Sequence, residues 1–107
     1  MNTSTDTGCS ASPDAIAAKL SALAHPARIA ILRHLSERDA CCCKDVVARM
    51  DLAQSTVSQH LKILVQAGLV RFAPERQRSR YTLDREALND LSQSVGGFLQ
   101  SCCSPEA

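Results

Sequence analysis

The chain has 107 residues, with 12 lysines and arginines against 11 acidic residues, so its formal net charge is only +1. This length supports one domain with a modest core, and the balanced charge means that any affinity for nucleic acid must come from local basic clusters. The sequence has neither the roughly 18 consecutive apolar residues of a membrane span nor the basic and then apolar segments of a secretory signal. We therefore expect a cytoplasmic protein.

The N-terminal third predicts a polar tail followed by two helices. Residues 1–11 are mainly Thr, Ser, Gly and Asp, a composition typical of a mobile tail. Ser12 is a good N-cap, and Pro13 suits the first helical position, where its missing N–H costs nothing. Pro26, after His25, opens the second helix in the same way. Apolar residues recur at helical spacing at Ile16, Ala17, Leu20, Leu23 and Ala24, then at Ile29, Leu32 and Leu35.

Residues 44–64 predict a short helix, a turn and a second helix. The apolar stripes are formed by Val46, Val47 and Met50 in the first helix and by Val57, Leu61 and Leu64 in the second. The opposite face of the second helix carries hydroxyl, amide and basic groups, as a DNA recognition helix does. An ordinary surface helix is the alternative, but its outer face would usually carry Glu and Lys pairs, and this one has no acid. The expected DNA contacts are Gln54, Ser55, Thr56, Ser58, Gln59, His60 and Lys62.

A basic β-hairpin is predicted after this pair of helices. Gly68 can adopt the left-handed conformation that ends a helix. Residues 70–73 and 79–83 are short and β-prone, and the segment 74–78 between them is polar. Arginines on the hairpin would neutralise backbone phosphates or enter a minor groove, although a solvated charged loop is the alternative. These arginines are Arg71, Arg76, Arg78 and Arg80.

The last predicted helix follows Asp84, a good N-cap, and has Glu86 in its first turn, where the helix dipole favours an acid. Its apolar stripe comprises Leu88, Leu91, Val95 and Phe98 or Leu99. Gly96 and Gly97 each weaken a helix by about 1 kcal/mol relative to alanine. We therefore expect the C-terminal end of this helix to fray.

Five segments carry a resemblance to a known family: ALAHPARIAILRHL at 22–35, CCCKDV at 41–46, AQSTVSQHLKIL at 53–64, AGLV at 67–70 and SRYTLD at 79–84. In order and spacing, from about Leu23 to Leu88, they are similar to the arsenic-repressor type of the ArsR/SmtB family of bacterial regulators. The resemblance implies a mainly α-helical winged helix-turn-helix fold with a small β-hairpin, and a homodimer through the first and last helices. It also implies a repressor that binds double-stranded operator DNA and is released by an inducer.

No enzyme motif competes with this interpretation. The sequence shows no Ser-His-Asp arrangement, paired carboxylates or Gly-rich phosphate loop, and a thiol oxidoreductase would need a C-x-x-C spacing that is absent. We therefore expect a non-enzyme with no organic cofactor. The predicted organisation is a flexible tail at 1–11, a DNA-binding and dimerisation domain at 12–100 and a cysteine-containing tail at 101–107.

Six cysteines, in three places, predict a site for a soft ion. Thiolates select ions such as As(III), Sb(III), Cu(I), Cd(II) or Zn(II), and a reducing compartment makes such binding a better interpretation than structural disulfides. Three consecutive cysteines cannot all be buried, because neighbouring side chains point in different directions, so we expect one of those at 41–43 to be accessible. The candidate ligands are Cys9, Cys41, Cys42, Cys43, Cys102 and Cys103.

The resemblance narrows the ligand choice without fixing it. Relatives place two cysteines, one residue apart, before an acid at the start of this helix. Aligning on Asp45 gives Cys42 the first position but Lys44 the second, so that simple version is broken here. The zinc site that other members build from Asp and His pairs on the last helix is also missing, because no histidine follows Asp84. Other members use a cysteine pair near the C-terminal helix, or a tail cysteine of one subunit with a loop cysteine of the other. The resemblance therefore implies two candidate sites, in order of preference: Cys102 and Cys103 with one further cysteine, then Cys9 with the loop at 41–43.

Two inducers are compatible with these cysteines. The leading hypothesis is As(III) or Sb(III), bound by thiolates, which would reposition a tail or the last helix and alter the dimer. The alternative is a redox or reactive-sulfur sensor, in which cysteines such as Cys42 and Cys102 would form a disulfide or polysulfide link. Binding of As(III) that survives strong reductant would favour the first hypothesis over the second.

Overall fold

The computed structural model describes residues 12–38, 41–74 and 79–103. In chain order the elements are α1 Pro13–Leu23, α2 Pro26–Ser36, α3 Cys43–Arg49, α4 Gln54–Gln66, β1 Val70–Pro74, β2 Ser79–Leu83 and α5 Arg85–Cys103. Helices α3 and α4 form the helix-turn-helix, and the two antiparallel strands form the wing. The predicted winged helix-turn-helix fold, mainly helical with a small hairpin, is confirmed.

Both residues that the sequence predicted as N-caps, Ser12 and Asp84, cap their helices. The Ser12 hydroxyl accepts the Ala15 N–H at 3.1 Å, with a proline inside the first turn of α1. Asp84 accepts the Ala87 N–H through Oδ1 at 3.0 Å and so caps α5. His25, the residue before Pro26, caps α2. Its Nδ1 accepts the Ala27 N–H at 3.0 Å.

The core forms where the stripes of α2, α3 and α4 meet the base of the wing. Its members include Ile31, Val46, Val57, Leu61, Leu64 and Leu69, all with 0% of their surface exposed. Fully burying such a side chain contributes roughly 1.5–3 kcal/mol, so this cluster fixes α4 with one face inward and the other outward. Helix α1 packs against α2, α4 and α5, and α5 contributes Leu91 to the core.

A glycine and a bridge join the recognition region to the wing. After α4, Gly68 has φ +82°, and the N–H groups of Gly68 and Leu69 donate to the carbonyls of Val65 and Leu64 at 2.9 and 3.1 Å. This is the Schellman arrangement that the predicted helix stop required. The opposite edge of β2 pairs with Cys41, whose N–H donates to Tyr81 O at 3.1 Å and whose carbonyl accepts the Tyr81 N–H at 2.7 Å.

Helix α5 continues to Cys103, three residues beyond the boundary that the sequence placed at residue 100. Gly96 and Gly97 lie inside the helix, so their cost of about 1 kcal/mol each does not end it. The predicted tail at 1–11 and residues 104–107 lie outside the described residues. Across the ranges that the structure describes, no single helix is long and apolar enough to cross a membrane, although α1 and α2 together, bent by 86°, meet those criteria as a pair.

Candidate nucleic-acid interface

The outward face of α4 is the centre of the candidate interface. Val57, Leu61 and Leu64 are fully buried, and the hydrogen-bonding side chains on the other side of the helix are exposed. Six of the seven DNA contacts predicted on this helix are exposed: Gln54, Ser55, Thr56, Ser58, Gln59 and Lys62. This face therefore offers hydroxyl, amide and ammonium groups to base edges or phosphates, and their contacts with DNA remain predictions.

His60, the seventh predicted contact, has a different environment. It is partly buried, its Nδ1 lies 3.1 Å from Arg28 Nη1, and its ring centroid lies 4.5 Å from that of His25. Arginine has only donors, so His60 Nδ1 is the acceptor and the neutral ring carries its proton on Nε2. Burial lowers the pKa of His60, and His25 and Arg28 lower it further. One side of the imidazole is thus already engaged within the protein.

Arg28 is the residue of this surface that the sequence did not indicate. It projects from α2 and, with residues of α4, lines a cavity of about 480 Å³. Helix α2, residues 26–36, contains no acid, so Arg28 has no ion-pair partner on its own helix. The absence of an acid from this helix is the sequence feature that could have indicated an unpaired role for Arg28. The other lining residues are Ser55, Thr56, Gln59, His60 and Ile63.

The structure describes two of the four wing arginines, Arg71 and Arg80. Arg71 Nε lies 3.3 Å from Asp84 Oδ2, and the arginine side chain is 66% exposed. The Ala87 N–H is the largest cause of the lowered pKa of Asp84, and Arg71 adds to the effect while partial burial opposes it. Arg80 is exposed on β2. The predicted phosphate contacts Arg76 and Arg78 lie outside the described residues.

The three consecutive cysteines occupy different environments. Cys41 is 2% exposed, with Sγ 3.8 Å from His34 Nε2, and Cys42 is 6% exposed. Cys43 is partly exposed, as expected for at least one of the three. Burial raises the pKa of the Cys41 thiol, with a further contribution from Asp45. Burial also raises the pKa of Cys43, and Cys42 adds to that shift.

Cys43 opens onto a second cavity, of about 440 Å³, between the helix-turn-helix and the wing. Most of the residues that line this cavity are polar, and Cys42 borders it together with Cys43. A ligand bound here would touch α3, α4 and β2 at once, because its walls include Lys44, Asp45, Gln54, Ser79 and Tyr81.

The remaining predicted ligands lie at the ends of the chain. Cys102 and Cys103 are exposed on the last turn of α5, and Cys9 lies outside the described residues. Within residues 12–38, 41–74 and 79–103, no three His, Cys, Asp or Glu side chains lie close enough together to hold one metal ion. The preferred three-thiolate site therefore needs its third cysteine from outside these ranges or from a second subunit.

The fold and the exposed face of α4 define a winged helix-turn-helix regulator of transcription, and comparison with known proteins agrees. A family model described as a helix-turn-helix domain matches residues 23–71. The arsenical resistance operon repressor of Bacillus subtilis is 36% identical over 73 residues, which cover 68% of this chain and 70% of that protein. The chain belongs to the ArsR/SmtB family of DNA-binding transcriptional repressors. The B. subtilis relative is a regulatory protein.

Solved structures agree with the fold. A crystal structure of an ArsR family transcriptional regulator superposes with a TM-score of 0.76 and 19% identity, covering 89% of this chain and 97% of the other. The homodimeric winged helix-turn-helix DNA-binding domain of a Mycobacterium bovis protein gives a TM-score of 0.65 and 24% identity, covering 84% of this chain and 79% of the other. At these identities the superpositions support the fold alone.

Proposed function

We propose that this protein is a cytoplasmic, homodimeric repressor that leaves its operator when As(III) or Sb(III) binds to cysteine thiolates. The observation that carries the DNA-binding part is the division of α4 into a fully buried apolar stripe and an exposed hydrogen-bonding face. In a dimer, two such helices would enter major grooves at half-sites about 34 Å apart. The base contacts would come from α4, and the wing would hold the DNA backbone.

Dimerisation through α1 and α5 is supported by the surface of α5. Phe98 and Leu99 lie on this helix with 45% and 50% of their surface exposed. A partner subunit would remove these apolar side chains from water, which stabilises association by about 25 cal/mol for each Å² buried. The M. bovis domain that shares this fold is itself homodimeric. A change at the end of α5 would then alter the spacing of the two recognition helices.

The C-terminal pair of cysteines suits the inducer better than the loop cysteines do. Cys102 and Cys103 are exposed at the end of α5, whereas Cys41 and Cys42 are buried. A thiol must lose its proton to bind a soft ion, and the raised pKa values of Cys41 and Cys43 make that loss more costly in the loop. Arsenous acid would exchange its three hydroxyl groups for three cysteine sulfurs, and each hydroxyl would leave as water with the proton of one thiol. The arsenical-repressor relative from B. subtilis supports a metalloid as the inducer.

The test is a fluorescence-anisotropy titration of promoter duplex with reduced protein, followed by arsenite. We expect arsenite to release the wild-type protein but not a double variant with Cys102→Ser and Cys103→Ser. Cys43→Ser tests the loop in the same assay: normal release would exclude its thiol from the site, and failure alongside the double variant would make Cys43 the third ligand. Release of the double variant with failure of Cys43→Ser would move the site to the loop. Release by a polysulfide, with no response to arsenite, would replace the metalloid with a reactive-sulfur signal.

A further inference from the structure

We propose that Arg28 binds a backbone phosphate of the DNA and that His60 positions Arg28 for this contact. The inference rests on the proposed DNA binding and adds a contact from α2 to those of α4 and the wing. It also gives His60 a role in the interface that does not require it to contact a base.

The guanidinium of Arg28 is held in place from two sides. Its Nε–H donates to Ala22 O at 2.6 Å and its Nη2 donates to Ser21 O at 3.5 Å, which ties it to the end of α1. Its Nη1 lies 3.1 Å from His60 Nδ1 on α4. The group has five N–H donors, and these three contacts to described residues use one each. Two donors thus remain for a further acceptor.

The cavity in front of Arg28 suits an anion. Ser55 and Thr56 provide hydroxyl groups, Gln59 provides an amide, and none of the described residues that line the cavity is acidic. Ser55, Thr56 and Gln59 also belong to the exposed face of α4 that is expected to meet DNA. An arginine between such donors matches the charge and geometry of a phosphate. The operator backbone is the source of phosphate that lies closest to this face when α4 enters a major groove.

His60 fixes the orientation of the guanidinium through its acceptor nitrogen. Because arginine cannot accept a hydrogen bond, the contact exists only while His60 Nδ1 is unprotonated. The neighbouring groups oppose protonation: Arg28 carries a permanent positive charge, and the His25 ring packs at 4.5 Å. His25 is itself held, because its Nδ1 accepts the Ala27 N–H. His60 is therefore a positioning residue that links the recognition helix to Arg28.

Salt dependence measures this contact directly. Affinity for promoter and random duplexes would be measured across a salt series for the wild type, Arg28→Gln, Arg28→Lys and Arg33→Gln. Arg33, also on α2, borders a different groove and is the matched control for loss of one charge. We expect Arg28→Gln to reduce the slope of log K against log salt by about 0.9 per subunit, or about 1.8 for a dimer, on both duplexes. Arg28→Lys and Arg33→Gln should keep the wild-type slope.

Two substitutions of His60 separate positioning from base contact. Asparagine keeps an oxygen acceptor close to the place of Nδ1, whereas leucine removes it. We expect His60→Asn to keep the wild-type affinity and slope, and His60→Leu to reduce the affinity on both duplexes and the slope by less than Arg28→Gln does, because Ala22 and Ser21 still hold the guanidinium. Loss of affinity for the promoter alone, with an unchanged slope, would make His60 a base contact and overturn its positioning role. Thermal unfolding of each variant identifies any general loss of structure.

Other outcomes identify which proposal fails. Reduced affinity of Arg28→Gln with an unchanged slope would mean a structural role for Arg28 and would overturn the inference. Wild-type protein that binds random duplex but shows no promoter preference would contradict the proposed function, and the slopes on random duplex would still decide the role of Arg28. If inorganic phosphate at constant ionic strength stabilised only proteins with Arg28, and Arg28→Gln left the DNA slope unchanged, the cavity would bind a free anion instead.

Discussion

Replacing Gly68 by alanine should destabilise the protein, whereas the same replacement at Gly97 should stabilise it. Gly68 has φ +82° after α4, and Gly97 lies within α5. A Cβ added at either position would meet no atom of the described residues within 4 Å, so packing among them does not decide the sign. The backbone conformation decides the sign of the effect, because Gly68 lies in the left-handed region whereas Gly97 is helical.

The magnitudes follow from those two conformations. An L-residue in the left-handed region costs roughly 1–2 kcal/mol, so Gly68→Ala should lower the free energy of unfolding by about that amount. Alanine in a helix interior is favoured over glycine by about 0.8–1 kcal/mol, so Gly97→Ala should raise it. Gly97 is four residues from both Gln93 and Ser101 on a polar side of α5, away from the apolar stripe that would face a partner.

Urea unfolding at one fixed protein concentration would test the pair, because the stability of a dimer depends on concentration. We expect midpoints that shift in opposite directions with unchanged slopes, since neither substitution changes the surface exposed on unfolding. Midpoints that moved in the same direction would refute the assignment of the effect to backbone conformation.

Three further predictions concern pH, the core and DNA recognition. Burial, followed by Arg38 and Arg49, lowers the pKa of His34, and the pKa of His60 is lowered as well. The unfolded chain therefore binds more protons below the usual histidine pKa of about 6.5, so stability should be complete above that pH and should fall as the pH drops through the folded pKa values. An unchanged urea midpoint on acidification would contradict this. Leu61→Ala should lower the free energy of unfolding by roughly 2–5 kcal/mol in the same assay, and a loss well below that range would contradict the rigid packing of α4. Gln59→Ala should cost about 1–3 kcal/mol of preference for promoter over random duplex, and equal losses on both would argue against a base contact.

The position of α3 shows how a signal in the loop could reach DNA. Cys41 pairs with Tyr81 on the wing, and α3 begins two residues later and packs against α4. The wing and the recognition helix are therefore connected through one short segment. A ligand in the cavity beside Cys43 would act on this segment, whereas one at Cys102 would act through α5 and the proposed dimer.

The sequence by itself determined the order of elements and the two faces of α4. Ser12, Pro13, Asp84 and Gly68 mark helix ends through local hydrogen bonds and backbone preferences, which depend only on neighbours in the chain. The apolar spacing at 57, 61 and 64 likewise fixed which side of α4 is buried, because helical geometry places residues three and four apart on one face.

Only the tertiary structure decided which side chains meet across elements. Arg28 and His60 are 32 residues apart, and nothing in the spacing of either helix indicates that their side chains touch. The same holds for Cys41, which looked like a thiolate ligand in a run of cysteines but lies buried against His34 and paired with Tyr81. Periodicity shows that a helix has an apolar face. It does not show which element packs against that face or how exposed the residues at its edge are, because both depend on how the helices cross and on where the wing packs.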